Sequence, residues 1–162
     1  MNVTVMRQIK FCAGHRLVGH EGKCANLHGH NYLAQVYVTG AEFDAVGRVV
    51  DFSVINRLFK GWIDENWDHG VIVWDEDREL LDTLGSLSPS KIYCLPYSPT
   101  AENIAKYLLT EVGPRLIASI EGYDVRLSKV VIWETENACA EVSSPSNDPS
   151  ETPQIGSGHA SA

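Results

Sequence analysis

The 162-residue sequence has no long hydrophobic run, no paired cysteines and no leader-like start. Its apolar stretches, such as residues 130–133, are far shorter than the roughly 20 residues that a membrane span needs. The four cysteines, at positions 12, 24, 94 and 139, show no Cys-x-x-Cys spacing, and we expect them to remain thiols. The first eight residues lack a basic segment followed by an apolar one, so no signal peptide is indicated and a cytoplasmic location is expected.

Basic residues are also scarce. Thirteen Lys and Arg stand against 21 Asp and Glu, giving a formal net charge of −8. This balance argues against nucleic acid as a partner, because phosphate-backbone binding needs clustered cations. A small anionic ligand would find its cations in the N-terminal third, at Arg7, Lys10, Arg16, Lys23 and Arg48. The length and the 44% hydrophobic content fit a single globular domain with an ordinary core.

Hydrophobic periodicity predicts four strands and two helices. Apolar residues alternate with other residues from Val3 to Phe11 and again from Tyr32 to Val38, which is typical of strands. Helical spacing follows over residues 51–66, with Asp51 or Ser53 available as N-cap, and again after Thr100, with a break or kink expected at Pro114. Strand-like composition returns over residues 125–134 and 138–142. The predicted order is β, β, α, α, β, β.

Two segments show neither the alternation of a strand nor the spacing of a helix. Residues 75–98 are rich in charges and then in Gly, Ser and Pro, which predicts an irregular insertion within a domain spanning residues 1–142. Residues 143–162 contain almost no apolar side chains, which predicts a disordered tail.

Three of the six histidines lie close together in the sequence, at His15, His28 and His30. In an extended chain His28 and His30 point to the same side, which suits chelation. Three neutral imidazoles would leave a tetrahedral zinc ion with one open position, as in catalytic zinc sites. Cys24 precedes His28 by four residues, and it is either a low-pKa thiol that moves protons or a fourth zinc ligand. The spacing does not decide between these two roles.

Two further motifs are weaker alone. The adjacent Asp68 and His69 could form a pair in which the carboxylate fixes the imidazole tautomer for proton transfer. Glu134 closes an apolar strand, where its carboxylate could accept two parallel N–H bonds from an amino-pyrimidine-like ring.

Taken together, these motifs resemble the 6-pyruvoyl-tetrahydropterin synthase / 6-carboxytetrahydropterin synthase family over about residues 3–142. Six motifs occur in the family's order. They are Phe11-x-Ala13-x-His15, Cys24-x-x-x-His28-Gly-His30, Gly47-x-Val-x-Asp51-Phe52, Asp68-His69, Pro99-Thr100-Ala-Glu102-Asn103 and Trp133-Glu134-Thr135. The resemblance implies the α+β tunnelling fold: an antiparallel four-stranded sheet with two helices on one face. It also implies that subunits close into an oligomeric barrel, a homohexamer of two stacked trimers, with active sites between subunits.

The same resemblance implies roles for individual residues. His15, His28 and His30 would bind zinc, and Cys24, Asp68 and His69 would move protons. Glu134 would anchor a pterin ring, with Thr100 and Glu102 nearby. Lys23 and Arg16 are suggested as contacts of the substrate's triphosphate from their charge and position alone.

The spacing Cys-x3-His-Gly-His resembles the carboxy-forming branch of queuosine and 7-deazapurine biosynthesis rather than the pyruvoyl-forming branch, which has Cys-x5-His-Gly-His. The expected reaction converts 7,8-dihydroneopterin triphosphate to 6-carboxytetrahydropterin, acetaldehyde and triphosphate. Three alternatives stay open: the pyruvoyl-forming activity, a zinc hydrolase that uses a metal hydroxide with His69 or Glu102 as base, and a pterin- or zinc-binding module without turnover.

Overall fold

The computed structural model describes residues 1–145, and the larger part of the predicted tail, residues 146–162, lies outside the described residues. Ser143, the first residue of that predicted tail, still belongs to a strand. The strands and helices are β1 (Val3–His15), β2 (His28–Gly40), α1 (Phe52–Asn66), β3 (Gly70–Trp74), α2 (Arg78–Gly85), β4 (Ile92–Leu95), α3 (Ala101–Tyr107), α4 (Gly113–Ala118), β5 (Val125–Thr135) and β6 (Ala138–Ser143).

The sheet has six strands in the order β4-β3-β1-β2-β5-β6. The four predicted strands, β1, β2, β5 and β6, form an antiparallel unit through the pairs β1–β2, β2–β5 and β5–β6. β3 pairs with the end of β1 in parallel, and β4 pairs in parallel with β3. The predicted fold class is confirmed, but the predicted count of four strands is wrong because two short parallel strands extend the sheet beyond β1.

The expected irregular insertion at residues 75–98 is also wrong in part, because it contains helix α2 and strand β4. Asp77 caps α2 by accepting a hydrogen bond from the backbone N–H of Leu80. Leu80 and Leu84, one helical turn apart, are buried with Val73 of β3 in a small separate cluster. Only two buried leucines mark this helix, so the surrounding charges conceal its periodicity in the sequence.

The two predicted helical segments form as expected at their N-termini. Asp51 caps α1 by accepting from the N–H of Ser53, and Thr100 caps α3 by accepting from the N–H of Asn103. The second segment continues as α3, a π-helical turn (Leu108–Val112) and α4, so the irregularity expected at Pro114 lies just before it. A Cβ at Gly113 would lie 2.7 Å from the carbonyl oxygen of Leu108 and would also clash with the Leu127 side chain of β5, so this position needs glycine.

One face of the antiparallel unit carries the main core. Ile9 and Phe11 of β1 are buried with Ala34 and Val36 of β2. α1 packs against β1, and α3 and α4 pack against β5. Within the described residues, no helix is both long and apolar enough to cross a membrane.

Candidate metal centre and adjoining cavity

The end of β1 and the beginning of β2 bring the three predicted histidines together. His15 and His28 are direct partners in the antiparallel ladder, and His30 pairs with Ala13 two positions along. Since side chains alternate between the faces of a sheet, all three rings lie on the face that carries the core. The ring centroids of the three histidines are 4.6 to 5.2 Å apart, and one nitrogen from each lies within 4.8 Å of the other two.

Backbone carbonyls fix the orientation of two of these rings. Nδ1 of His15 donates to the carbonyl of Pro99 at 2.7 Å, and Nδ1 of His28 donates to the carbonyl of Asn26 at 2.7 Å. A carbonyl can only accept, so the proton of each neutral ring sits on Nδ1 and the lone pair on Nε2. This is the tautomer that a metal ligand needs, with its other nitrogen held by a second hydrogen bond.

Burial favours the neutral form of the cluster. His15 is 1% exposed, and burial lowers its pKa; burial also lowers the pKa of His30. Nε2 of His30 is buried, and no group within residues 1–145 forms a hydrogen bond with it. An unpartnered buried nitrogen is costly unless something else binds its lone pair. The donor set therefore fits a metal ion, and this three-histidine group could hold one.

Glu134, at the end of β5, lies against the same cluster. Its Oε1 is 3.4 Å from Nε2 of His15 and 3.7 Å from Nε2 of His30. The hydroxyl of Tyr32 lies 3.3 Å from each ring nitrogen of His15, and burial raises its pKa, so it stays protonated. The lone pairs of the imidazoles, a carboxylate and a phenol thus converge at one point.

A cavity of about 300 Å³ opens beside this point. Four of the predicted site residues line it: Cys24, Thr100, Glu102 and Glu134. Cys24 comes from a short 3₁₀ turn (Lys23–Ala25) in the loop between β1 and β2. It is not part of the metal-binding group found among the described residues. The structure thus brings together the predicted thiol, the predicted anchor and the two residues at the start of α3.

Asp68 and His69 form the predicted pair, but at a different place. His69 Nδ1 lies 2.9 Å from Asp68 Oδ2, and Asp68 Oδ1 accepts from the N–H of Cys12 at 2.8 Å. Burial opposes ionisation of Asp68, but these two partners outweigh it and hold its pKa below the usual range. The His69 side chain is 80% exposed and lines a second cavity, which shares no lining residue with the first. Within one chain, His69 and Cys24 therefore serve separate cavities.

Arg16 and Lys23, the two cations suggested for the triphosphate, are not among the described residues that line the first cavity. Nε and Nη2 of Arg16 donate to the two carboxylate oxygens of Asp77 at 2.7 and 2.6 Å, and Nη2 also donates to Glu79 at 3.0 Å. Through these bonds Arg16, which directly follows His15, connects the end of β1 to the N-terminus of α2. Lys23 is exposed and adjoins Cys24 in the 3₁₀ turn.

Comparison with known proteins places this geometry in a family. A family model described as 6-pyruvoyl tetrahydropterin synthase matches residues 4–145. The chain belongs to this family. It is 41% identical over 136 residues to a 6-carboxy-5,6,7,8-tetrahydropterin synthase of Rickettsia bellii, a match that covers 84% of this chain and 96% of the relative.

Solved structures agree with the fold of the 6-pyruvoyl tetrahydropterin synthase family. An uncharacterized protein from Wolinella succinogenes superposes with a TM-score of 0.74 at 26% identity, covering 90% of this chain and 99% of that one. The 6-pyruvoyl tetrahydropterin synthase of Caenorhabditis elegans superposes with a TM-score of 0.62 at 25% identity, covering 90% and 97% of the two chains.

Sequence reasoning missed four contributors to this family site. Tyr32 was assigned to a strand, and the Pro99 carbonyl has no side-chain signature. Cys139, expected only to remain a thiol, is exposed and lines the first cavity. His20 lines it too. For His20 a signal existed, because it lies in the same loop as Cys24.

Proposed function

We propose that the chain is a zinc-dependent 6-carboxy-5,6,7,8-tetrahydropterin synthase, a lyase that converts 7,8-dihydroneopterin triphosphate to 6-carboxytetrahydropterin, acetaldehyde and triphosphate. The observation that carries the proposal is the contact of Glu134 with a cluster of three imidazoles, because the same glutamate lines a cavity together with the thiol of Cys24. Relatives named 6-carboxy-5,6,7,8-tetrahydropterin synthase, 41% and 40% identical to this chain, support it. The Cys-x3-His-Gly-His spacing favours the carboxy-forming branch over the pyruvoyl-forming one.

His15, His28 and His30 are the zinc ligands in this proposal. Backbone carbonyls hold His15 and His28 in the tautomer that offers Nε2, and His30 would supply the third nitrogen donor. A fourth position would remain for substrate, as in catalytic zinc sites. Bound zinc would act as a Lewis acid that makes the O–H and C–H bonds of the substrate side chain more acidic.

Cys24 is the general base beside that side chain. It lines the cavity but lies outside the group of metal ligands, so its sulfur is available for proton transfer.

Glu134 anchors the pterin ring by accepting two N–H bonds on its carboxylate. Its place at the end of β5 holds it against the histidines, so a ring bound there would direct its side chain to the metal. Thr100 and Glu102, at the start of α3, complete the wall around the ring.

Asp68 and His69 form the second proton-transfer pair, and we propose that they act on the site of a neighbouring copy. The support is that His69 is exposed and lines a cavity separate from that of Cys24 in its own chain. A closed homo-oligomer, a hexamer of two trimers, would bring the two together. Within the described residues β4 and β6 are the edge strands of the sheet, and copies could pair through them. A cytoplasmic location stays a prediction from the sequence.

The direct test is incubation of the zinc-loaded protein with 7,8-dihydroneopterin triphosphate, followed by mass spectrometry of the products. We expect 6-carboxytetrahydropterin and acetaldehyde. A 6-pyruvoyl product would assign the chain to the other branch of the family. Hydrolysis of simple esters that survives Cys24→Ala would instead favour a zinc hydrolase.

Mixing two inactive variants tests the shared site. If each site takes Cys24 from one copy and His69 from another, oligomers assembled together from Cys24→Ala and His69→Ala chains should recover up to about a quarter of wild-type activity. No recovery in verified mixed oligomers would mean that both residues act within one chain.

A further inference from the structure

The loop that carries Cys24 also carries His20, whose ring lines the cavity beside the metal centre. The loop is built by its own hydrogen bonds: the N–H of Leu17 donates to the Cys24 carbonyl at 2.9 Å, and the N–H of His20 donates to the Leu17 carbonyl at 3.1 Å. The imidazole is therefore presented by an ordered turn.

The backbone fixes the tautomer of His20. The N–H of Gly22 donates to Nδ1 of His20 at 2.8 Å, so Nδ1 carries the lone pair and the proton of the neutral ring sits on Nε2. A Cβ at Gly22 would lie 3.2 Å from Cε1 of the ring, so glycine lets the backbone approach this closely. His20 thus has the opposite tautomer to His15 and His28. Those rings present a lone pair on Nε2, whereas His20 presents an N–H.

The other described residues that line the cavity have no side-chain N–H group. Among the described residues that line it, two are carboxylates, Glu102 and Glu134, and His20 is the one whose side chain offers an N–H donor or a positive charge. Arg16 is held by Asp77 and Glu79 instead. A substrate that carries a triphosphate needs donors for its phosphate oxygens, and the carboxylates would repel that group.

We infer that His20 is a substrate-binding residue that donates its Nε2–H to the phosphate chain of the substrate, a role that rests on the proposed function. Its ring binds the phosphate end, while Glu134 binds the pterin end. The tautomer set by Gly22 keeps the donor available, and protonation of Nδ1 is not required.

Two substitutions separate the donor from the loop. His20→Asn keeps an acceptor at the position of Nδ1, which can still receive the Gly22 N–H, but removes the donor at the position of Nε2. His20→Gln restores an N–H group near that position. Arg57→Gln is a matched control, because it removes one exposed positive charge from α1 without touching the loop.

Calorimetric titration of the full chain with tripolyphosphate, and separately with unphosphorylated 7,8-dihydroneopterin, gives the readout. We expect His20→Asn to raise the Kd of tripolyphosphate about tenfold, the usual effect of one lost hydrogen bond to a charged group. The Kd of dihydroneopterin should change less than about twofold, since a donor that contacts only phosphate does not affect it. His20→Gln should recover part of the loss, and Arg57→Gln should behave like wild type. Metal content is measured before and after, because tripolyphosphate itself binds divalent metals.

The inference is overturned if His20→Asn binds tripolyphosphate with the wild-type Kd, or if the Kd values of tripolyphosphate and dihydroneopterin rise by the same factor. It is also overturned if His20→Gln recovers none of the lost affinity for tripolyphosphate. The wild-type protein could bind tripolyphosphate and turn over the pterin triphosphate while His20→Asn has the same Kd for tripolyphosphate. That result would overturn this inference and leave the proposed function standing. Wild-type protein that binds neither ligand would overturn the proposed function and this inference together.

Discussion

Replacing Asp77 by asparagine should lower the free energy of unfolding by about 2 kcal/mol. The carboxylate of Asp77 is 4% exposed and accepts two hydrogen bonds from Arg16, whose side chain is 21% exposed. Breaking a buried ion pair costs roughly 3–5 kcal/mol when the remaining charge is stranded. Arg16 keeps water contact and its bond to Glu79, so we expect a smaller cost than that range.

The role of Asp77 as a helix cap can be separated from its ion pair with Arg16. Asp77 also caps α2 by accepting from the N–H of Leu80. Asparagine is nearly as good an N-cap, so Asp77→Asn isolates the ion pair. Asp77→Ala removes both interactions and should cost about 1 kcal/mol more, or about 3 kcal/mol in total.

Urea unfolding followed by circular dichroism, at one fixed chain concentration, measures both variants. Glu79→Gln is the control, because Glu79 is 83% exposed and its pair with Arg16 should contribute less than about 1 kcal/mol. The reasoning is refuted if Asp77→Asn costs no more than Glu79→Gln, since buried and exposed partners of one arginine would then be equivalent.

The pH dependence gives an independent check on Asp77. Its hydrogen bonds from Arg16 lower its pKa from the usual value near 3.9. A group whose pKa is lowered on folding contributes stability that is complete above its unfolded pKa and is lost as the pH falls through its folded pKa. The gap in stability between wild type and Asp77→Asn should therefore be constant from about pH 7 to pH 5 and should narrow below about pH 4. A gap that persists unchanged at pH 2 would contradict the assignment.

The remaining predictions concern the proposed site. His28→Ala should lose most of the roughly one zinc per chain that elemental analysis should find in wild type, because two imidazoles hold zinc poorly; unchanged zinc would refute the ligand set. Cys24→Ala should keep its zinc while turnover falls about 10²–10⁴-fold, whereas parallel loss of metal would make Cys24 a ligand. Glu134→Gln should raise KM with kcat nearly unchanged, because it weakens ring binding more than chemistry, and a fall in kcat alone would argue against an anchor. Sedimentation should show an oligomer, and a fully active monomer of 17.9 kDa would exclude shared sites.

Local patterns in the sequence were sufficient for the antiparallel part of the fold. The alternation in β1 and β2 and the caps Asp51 and Thr100 each involve neighbours within a few residues, and the structure has them as predicted. The two parallel strands were not recoverable in this way. β4 is four residues long, and its pairing with β3 joins segments about 20 residues apart. Such short strands are stabilised by their partners in the sheet, so their own composition carries little signal.

The candidate site likewise has features that the sequence predicts and features that only the structure shows. The sequence by itself determined which residue types could bind a metal, because His15, His28 and His30 lie close together in the sequence and His28 and His30 have chelating spacing. Only the tertiary structure decided which nitrogen His15 offers, since the carbonyl that sets its tautomer belongs to Pro99, 84 residues away. The tautomers of His28 and His20 are set by backbone groups two residues away, through the conformation of the loop. It also decided that Arg16 is held by Asp77, 61 residues away, and that His69 and Cys24 line different cavities. Residue chemistry is local and is written in the sequence, whereas hydrogen-bond partners and solvent exposure depend on segments that only folding brings together.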